Sequence, residues 1–118
     1  MSSPVYLVVE PIEIIAYDLA MCVSEYDQTA TIIVALTLAA GCEILKGHPA
    51  VRLAFVHTDP AKFSDTELAH CLEIRGAKMV FIGDAAERND KSALVLHRPF
   101  SAETAAELLT RIEASEPV

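Results

Sequence analysis

The sequence lacks a long apolar run: its longest strongly apolar window, Ala30 to Ala40, falls far short of the about 20 residues that a membrane-spanning helix needs. It also lacks the basic N-terminal flank of a secretory signal. These two absences lead us to expect a soluble, cytoplasmic protein with no membrane partner. Basic residues are scarce, with 9 Lys and Arg against 17 Asp and Glu, a formal charge of -8. Phosphate backbones and anionic surfaces recruit basic patches, so no nucleic acid partner is expected. Cysteine is sparse too. Cys22, Cys42 and Cys71 are odd in number, widely spaced and set among apolar residues. With no Cys-x-x-Cys pair to suggest zinc or redox chemistry, they read as buried free thiols. No repeat, low-complexity tract or linker divides the chain.

What remains is an ordinary globular composition, 53% apolar and 22% charged over 118 residues. That is enough chain for one domain, residues 1–118, that buries roughly two-thirds of its unfolded surface. Apolar runs alternate with helical periodicity. Val5 to Val9 reads as a strand buried on both faces. Ile12, Ile15, Leu19, Cys22 and Tyr26 then recur at three- and four-residue steps, one face of a helix. Ala30 to Leu36 is a second strand, followed by Leu38, Cys42 and Leu45 at helical spacing until Gly47-His48-Pro49. Val51 to His57 is a third strand. Ser64-Asp65-Thr66-Glu67 is a capping-box pattern that opens a helix through Leu68, Cys71 and Leu72, closed by Gly76. Met79 to Ile82 and Ala93 to His97 are the last strands, and Ser101 caps a final helix whose inner face is Ala105, Leu108, Leu109 and Ile112.

Strands alternating with helices predict an α/β fold, a parallel sheet covered on both faces. One link breaks the rhythm. Gly83 to Ala93, between the fourth and fifth strands, is polar and shorter than a usual crossover, so the helix there is expected to be shortened or missing. Three strands end abruptly in polar residues: Glu10-Pro11, His57, and His97-Arg98. An open parallel sheet delivers such residues to a crevice at its carboxyl edge.

This order of segments resembles the receiver domains of bacterial two-component response regulators. Leu7-Val8-Val9-Glu10-Pro11, with Ile14 to Leu19 behind it, looks like the family's opening strand and helix. Leu53-Ala54-Phe55-Val56-His57 sits where the phosphoacceptor strand belongs. Arg98-Pro99-Phe100 is similar to the Lys-Pro-Phe after the family's last strand. The resemblance implies a flavodoxin-like, doubly wound five-stranded parallel sheet of order 2-1-3-4-5. It also implies a pocket of two acidic residues that hold Mg²⁺, a phosphoaccepting Asp, a Ser or Thr, and a Lys.

Carried over to this chain, the acidic pair becomes Glu10 and Pro11, the nucleophile His57, the hydroxyl Gly83 and the lysine Arg98. Val95 stands where the family commonly has its switching aromatic. One carboxylate is left to bind Mg²⁺, which takes oxygen ligands, so the resemblance implies a degenerate pocket with no bound cofactor and no aspartyl phosphorylation. Arg98 is expected to pair with Glu10, its guanidinium standing in for metal and lysine. Two sharper readings are weaker. A phosphoryl group on His57 lacks an evident carboxylate to fix the ring's tautomer. A transition-metal site from His57, Asp59, Glu10 and His97 has no recognised ligand spacing.

The expected function is therefore that of a stand-alone receiver-like domain in signal transduction, not an enzyme, acting by binding a sensor kinase or a downstream regulator. A shortened link would uncover apolar residues of the fourth and fifth strands and favour a homodimer through that region. The alternative is a small-molecule or metal-binding α/β protein that uses the same crevice. No glycine-rich phosphate loop follows the first strand, since Glu10-Pro11-Ile12-Glu13 is acidic and bulky.

Overall fold

The structure is a computed structural model that describes residues 3–83, 94–97 and 100–115. Five strands, β1 (Val5–Val9), β2 (Thr31–Ala35), β3 (Leu53–Val56), β4 (Lys78–Gly83) and β5 (Val95–His97), form one sheet of order β2-β1-β3-β4-β5. Every neighbouring pair is parallel. This is the flavodoxin-like order that the resemblance implies. The central β3 is buried at every position and β1 at all but its first. Such near-continuous apolar runs belong in a sheet covered on both faces.

Strand periodicity of two sorts these residues between two cores. Tyr6 and Val8 of β1, Leu53 and Phe55 of β3, and Val80 and Ile82 of β4 point to one face. There they meet Ala16, Leu19 and Val23 of α1 (Glu13–Tyr26) and Leu108, Leu109 and Ile112 of α5 (Ala102–Ser115). Leu7 and Val9 of β1 and Ala54 and Val56 of β3 point to the other. That face is closed by Cys42 and Leu45 of α2 (Leu38–Leu45), Phe63 of α3 (Pro60–Phe63), and Leu68 and Leu72 of α4 (Glu67–Ile74). No helix among the described residues is long and apolar enough to cross a membrane.

Caps fix where the helices begin. Thr37 Oγ1 accepts from the Ala40 amide at 3.0 Å, and Ser101 Oγ accepts from the Thr104 amide at 3.1 Å. Such caps satisfy amides that the first helical turn leaves without partners. The expected cap at Ser64 is corrected. Asp59 and Pro60 start α3, with Asp59 Oδ1 accepting from the Ala61 amide at 3.0 Å, and Ser64 closes that turn. The next helix is capped instead by Thr66, whose Oγ1 accepts from the Ala69 amide at 3.2 Å. At the far end of α4, Gly76 has φ 72°. Gly76 N–H donates to Glu73 O and Ala77 N–H to Leu72 O, both at 3.1 Å. This paired closure needs a left-handed residue, which glycine supplies without steric cost.

Arg75 joins the two short helices that share a face. Its Nε donates to His48 O at 2.7 Å, its Nη2 to Leu45 O at 2.9 Å and its Nη1 to Cys71 O at 2.9 Å. A cation at the C-terminal end of α2 meets carbonyls that have no helical partner, and it is favoured there by the helix dipole. The expected shortening of the helix between β4 and β5 falls on 84–93, outside the described residues.

Candidate functional site

The sheet order decides which strand ends meet. β1 lies between β2 and β3, and its register with β3 runs to Val9 opposite Val56. The next residue on each strand is Glu10 and His57. The His57 amide donates to Val9 O at 2.9 Å and the Glu10 amide to Ala35 O at 3.1 Å, so the ladder holds both backbones in place. Their side chains consequently meet at the carboxyl edge of the sheet.

Glu10 is wholly buried, the one buried charged side chain among the described residues. Its Oε1 lies 2.9 Å from His57 Nδ1, and its Oε2 accepts from the Ile12 amide at 2.9 Å. Ile12 is the N-cap of α1 and has no side-chain cap of its own, so the Glu10 carboxylate supplies an acceptor where the helix begins. A carboxylate is favoured at a helix N-terminus. An isolated buried carboxylate would be severely penalised, and these partners offset its lost hydration. Against an ionised Glu10 the imidazole can only donate from Nδ1. That fixes its tautomer and leaves Nε2 as the nitrogen with a free lone pair when the ring is neutral. The His57 side chain is 26% exposed, so the ring spans the boundary between the buried carboxylate and solvent.

The expectation that no carboxylate orients His57 is thus corrected. The signal was available in the sequence, because order 2-1-3 makes the residue after β1 a neighbour of the residue after β3. The other proposed pocket positions fall as follows. Pro11 is exposed and carries no ligating group, and Gly83 is buried at the end of β4, opposite His97 in register. Arg98, and with it the expected Arg98–Glu10 pair, lies outside the described residues. Glu10 has further interactions besides those with His57 and Ile12.

The donor set does not suit Mg²⁺. That ion favours octahedral oxygen ligands, including one or two carboxylates. Among the described residues, both oxygens of the Glu10 carboxylate are engaged, and two of the carried-over pocket positions are a proline and a glycine. Of the four residues proposed as a transition-metal site, two come together among the described residues. Glu10 and His57 meet, but Asp59 is turned to its capping role on α3. Among the described residues no three His, Cys, Asp or Glu side chains converge as ion ligands.

A second juxtaposition was hidden from the sequence. Cys42 on α2 and Cys71 on α4 place their Sγ atoms 3.0 Å apart. All three cysteines are free thiols, with Cys22 and Cys42 buried and Cys71 half-buried. The Cys42 thiol is pushed up to about 11 by its hydrogen bond with Cys71 and by burial.

No family model matches the sequence. No curated protein matches it either. Its architecture does match solved structures. The BeF3-activated conformation of SdrG from Pseudomonas melonis Fr1 aligns over 95% of this chain and 98% of its own, with TM-score 0.71 and 22% identity. A response regulator receiver protein from Sinorhizobium medicae WSM419 aligns over 97% and 96%, with TM-score 0.62 and 16% identity. The pilus assembly protein CpaE from Caulobacter crescentus CB15 aligns over 92% and 98%, with TM-score 0.62 and 18% identity. Strand order, helix placement and nearly end-to-end superposition agree: this chain has the fold of response regulator receiver domains.

Proposed function

We propose that this chain is a single receiver-like signalling domain of a two-component pathway, not an enzyme, that works by binding another protein and is not phosphorylated on Asp. The observation that carries this reading is the Glu10–His57 hydrogen bond of 2.9 Å, which fills the edge of the sheet where a metal and an acyl phosphate would otherwise need room and carboxylates. The pocket is then a fixed structural contact between Glu10 and His57. The receiver fold of SdrG, solved in a BeF3-activated conformation, supports the signalling role.

A protein partner, a sensor kinase or a downstream regulator, is supported by apolar side chains left on the surface of α1. Ile14, Tyr17 and Met21 are 78%, 56% and 63% exposed. Their spacing of three and four residues aligns them along one side of the helix. Exposed apolar stripes of this kind are characteristic of interaction surfaces. Self-association through the β4 and β5 region is the form of partnership that Leu94, 42% exposed beside β5, favours. Sedimentation at increasing protein concentration is expected to show a dimer, and a monomer throughout would remove that part of the reading.

The test of the pocket is titration of the full chain with Mg²⁺ and beryllium fluoride, followed by amide NMR. Glu10, His57 and Gly83 are expected to keep their resonances. Saturable shifts at these three positions, or a phosphorylated species after incubation with acetyl phosphate, would overturn it. Saturable shifts with Zn²⁺ alone would favour the ligand-binding alternative.

A further inference from the structure

Cys42 and Cys71 stand 29 positions apart in the chain but belong to the two short helices that close one face of the sheet. Their sulfurs are 3.0 Å apart, about 1 Å beyond a covalent disulfide bond. A second tie fixes the approach of the two helices one turn further along. Arg75, four residues after Cys71, holds the carbonyl of Leu45, three residues after Cys42. Side chains at these spacings lie on the same face of a helix, so the guanidinium clamp and the sulfur pair act on the same seam. We propose that Cys42 and Cys71 form a reversible dithiol–disulfide site whose oxidant is a small peroxide.

The two sulfurs are unequally placed, which orders the steps. Cys71 is half-buried, whereas Cys42 is 7% exposed. The Cys71 sulfur, as thiolate, attacks one peroxide oxygen. The O–O bond breaks, the second oxygen leaves as water after taking a proton, and Cys71 becomes a sulfenic acid. The Cys42 sulfur then attacks the Cys71 sulfur. An S–S bond forms, the S–O bond breaks, and the oxygen leaves as a second water carrying the Cys42 proton. Two thiols have lost two electrons and one peroxide has been reduced to two waters. An exogenous dithiol reverses the change by exchange.

The cross-link would close a loop that contains all of β3, α3 and His57. It would tie α2 to α4 covalently, in addition to their apolar packing, the thiol contact and the Arg75 clamp. A loop of this length restricts the unfolded chain, so the oxidised protein is more stable to heat. Cys22 lies on α1, across the sheet, and takes no part.

The experiment uses the full chain, reduced, exposed to a few equivalents of hydrogen peroxide, then alkylated under denaturing conditions and weighed intact. The expected product is lighter by about 2 Da before alkylation, keeps one alkylatable thiol at Cys22, and yields a peptide joining Cys42 to Cys71. Its melting temperature is expected to rise by about 10 °C and to return on adding dithiothreitol. Cys22→Ser is expected to behave as the parent chain. Cys71→Ser and Cys42→Ala each remove the two-hydrogen loss, and with two variants the test survives a folding failure of either. Two outcomes overturn the proposal: Cys71 oxidised to sulfinic acid while Cys42 stays alkylatable, or all three thiols still alkylatable after exposure.

Discussion

The two faces of the sheet are covered very differently. One carries two 14-residue helices, α1 and α5, packed on each other and on a core that includes Tyr6, Phe55 and Leu19. The other carries two 8-residue helices with a single turn between them, α2, α3 and α4. Short helices contribute little persistence of their own, and that second face adds specific ties to its apolar core: the Arg75 clamp, the Cys42–Cys71 contact, and a close approach at Gly41. A Cβ at Gly41 would come within 3.3 Å of Val9 Cγ2 and 3.6 Å of Leu68. Both faces hold by packed apolar area, and the short-helix face adds individual bonds between its helices. Chemistry that alters a bond is therefore felt most on the second.

The comparison can be broken first at Phe55. Phe55→Ala removes a fully buried ring from the long-helix core and is expected to cost about 3–5 kcal/mol in urea denaturation. A cost under 1 kcal/mol would show that this face is not held by its packed area, and the estimate of about 3–5 would fail. At the edge where the two faces meet, Glu10→Gln replaces the carboxylate by an amide and is expected to cost about 2–3 kcal/mol. An unchanged denaturation midpoint would mean that the carboxylate's charge contributes nothing to the fold.

A sharper contrast pits two arginines against each other. Arg75→Ala strips the carbonyls of Leu45, His48 and Cys71 of a charged donor and is expected to cost about 1–2 kcal/mol. Arg52→Ala removes a partly exposed ion pair with Glu113, 3.2 Å apart, and a contact with the Tyr6 hydroxyl, and is expected to cost about 1 kcal/mol or less. Equal costs would erase the distinction between the faces.

The last effect is a slope. Cys42 keeps its proton in the fold to about 11, whereas the unfolded thiol loses it near 9.0. Its contribution is fully present below pH 9 and lost as pH climbs toward 11, because the unfolded chain then releases a proton that the folded chain retains. The Tyr6 hydroxyl, raised above 10.0 chiefly by burial, adds a similar decline from the long-helix face. Denaturation midpoints measured from pH 8 to 11 should fall less steeply in Cys42→Ala than in the parent chain. Parallel curves would rule out the thiol's part in alkaline instability.

The strands were legible because β1 and β3 are buried on both sides and so must read as unbroken apolar runs, and α5 because one stripe on it is apolar, whereas α1 carries exposed Ile14, Tyr17 and Met21 besides its buried Ala16, Leu19 and Val23. What escaped was what neighbouring residues decide together. Ser64 looked like a cap until Asp59 and Pro60 had consumed the preceding turn in α3. Glu10 and His57 were both placed at the sheet edge, but the contact between them was not drawn, although the strand order that the resemblance implies makes them neighbours. Cys42 and Cys71 carry no spacing signal at all, because their meeting depends on α2 and α4 lying side by side.

One consequence of the Arg75 clamp concerns timing. An eight-residue helix is marginal alone in water, and the last carbonyl of α2, that of Leu45, is held by a guanidinium 30 positions downstream. While the chain leaves the ribosome, α2 emerges before the group that finishes it. Its final turn should consolidate only once α4 has docked, which makes α2 a late, low-φ element among the folding steps of this domain.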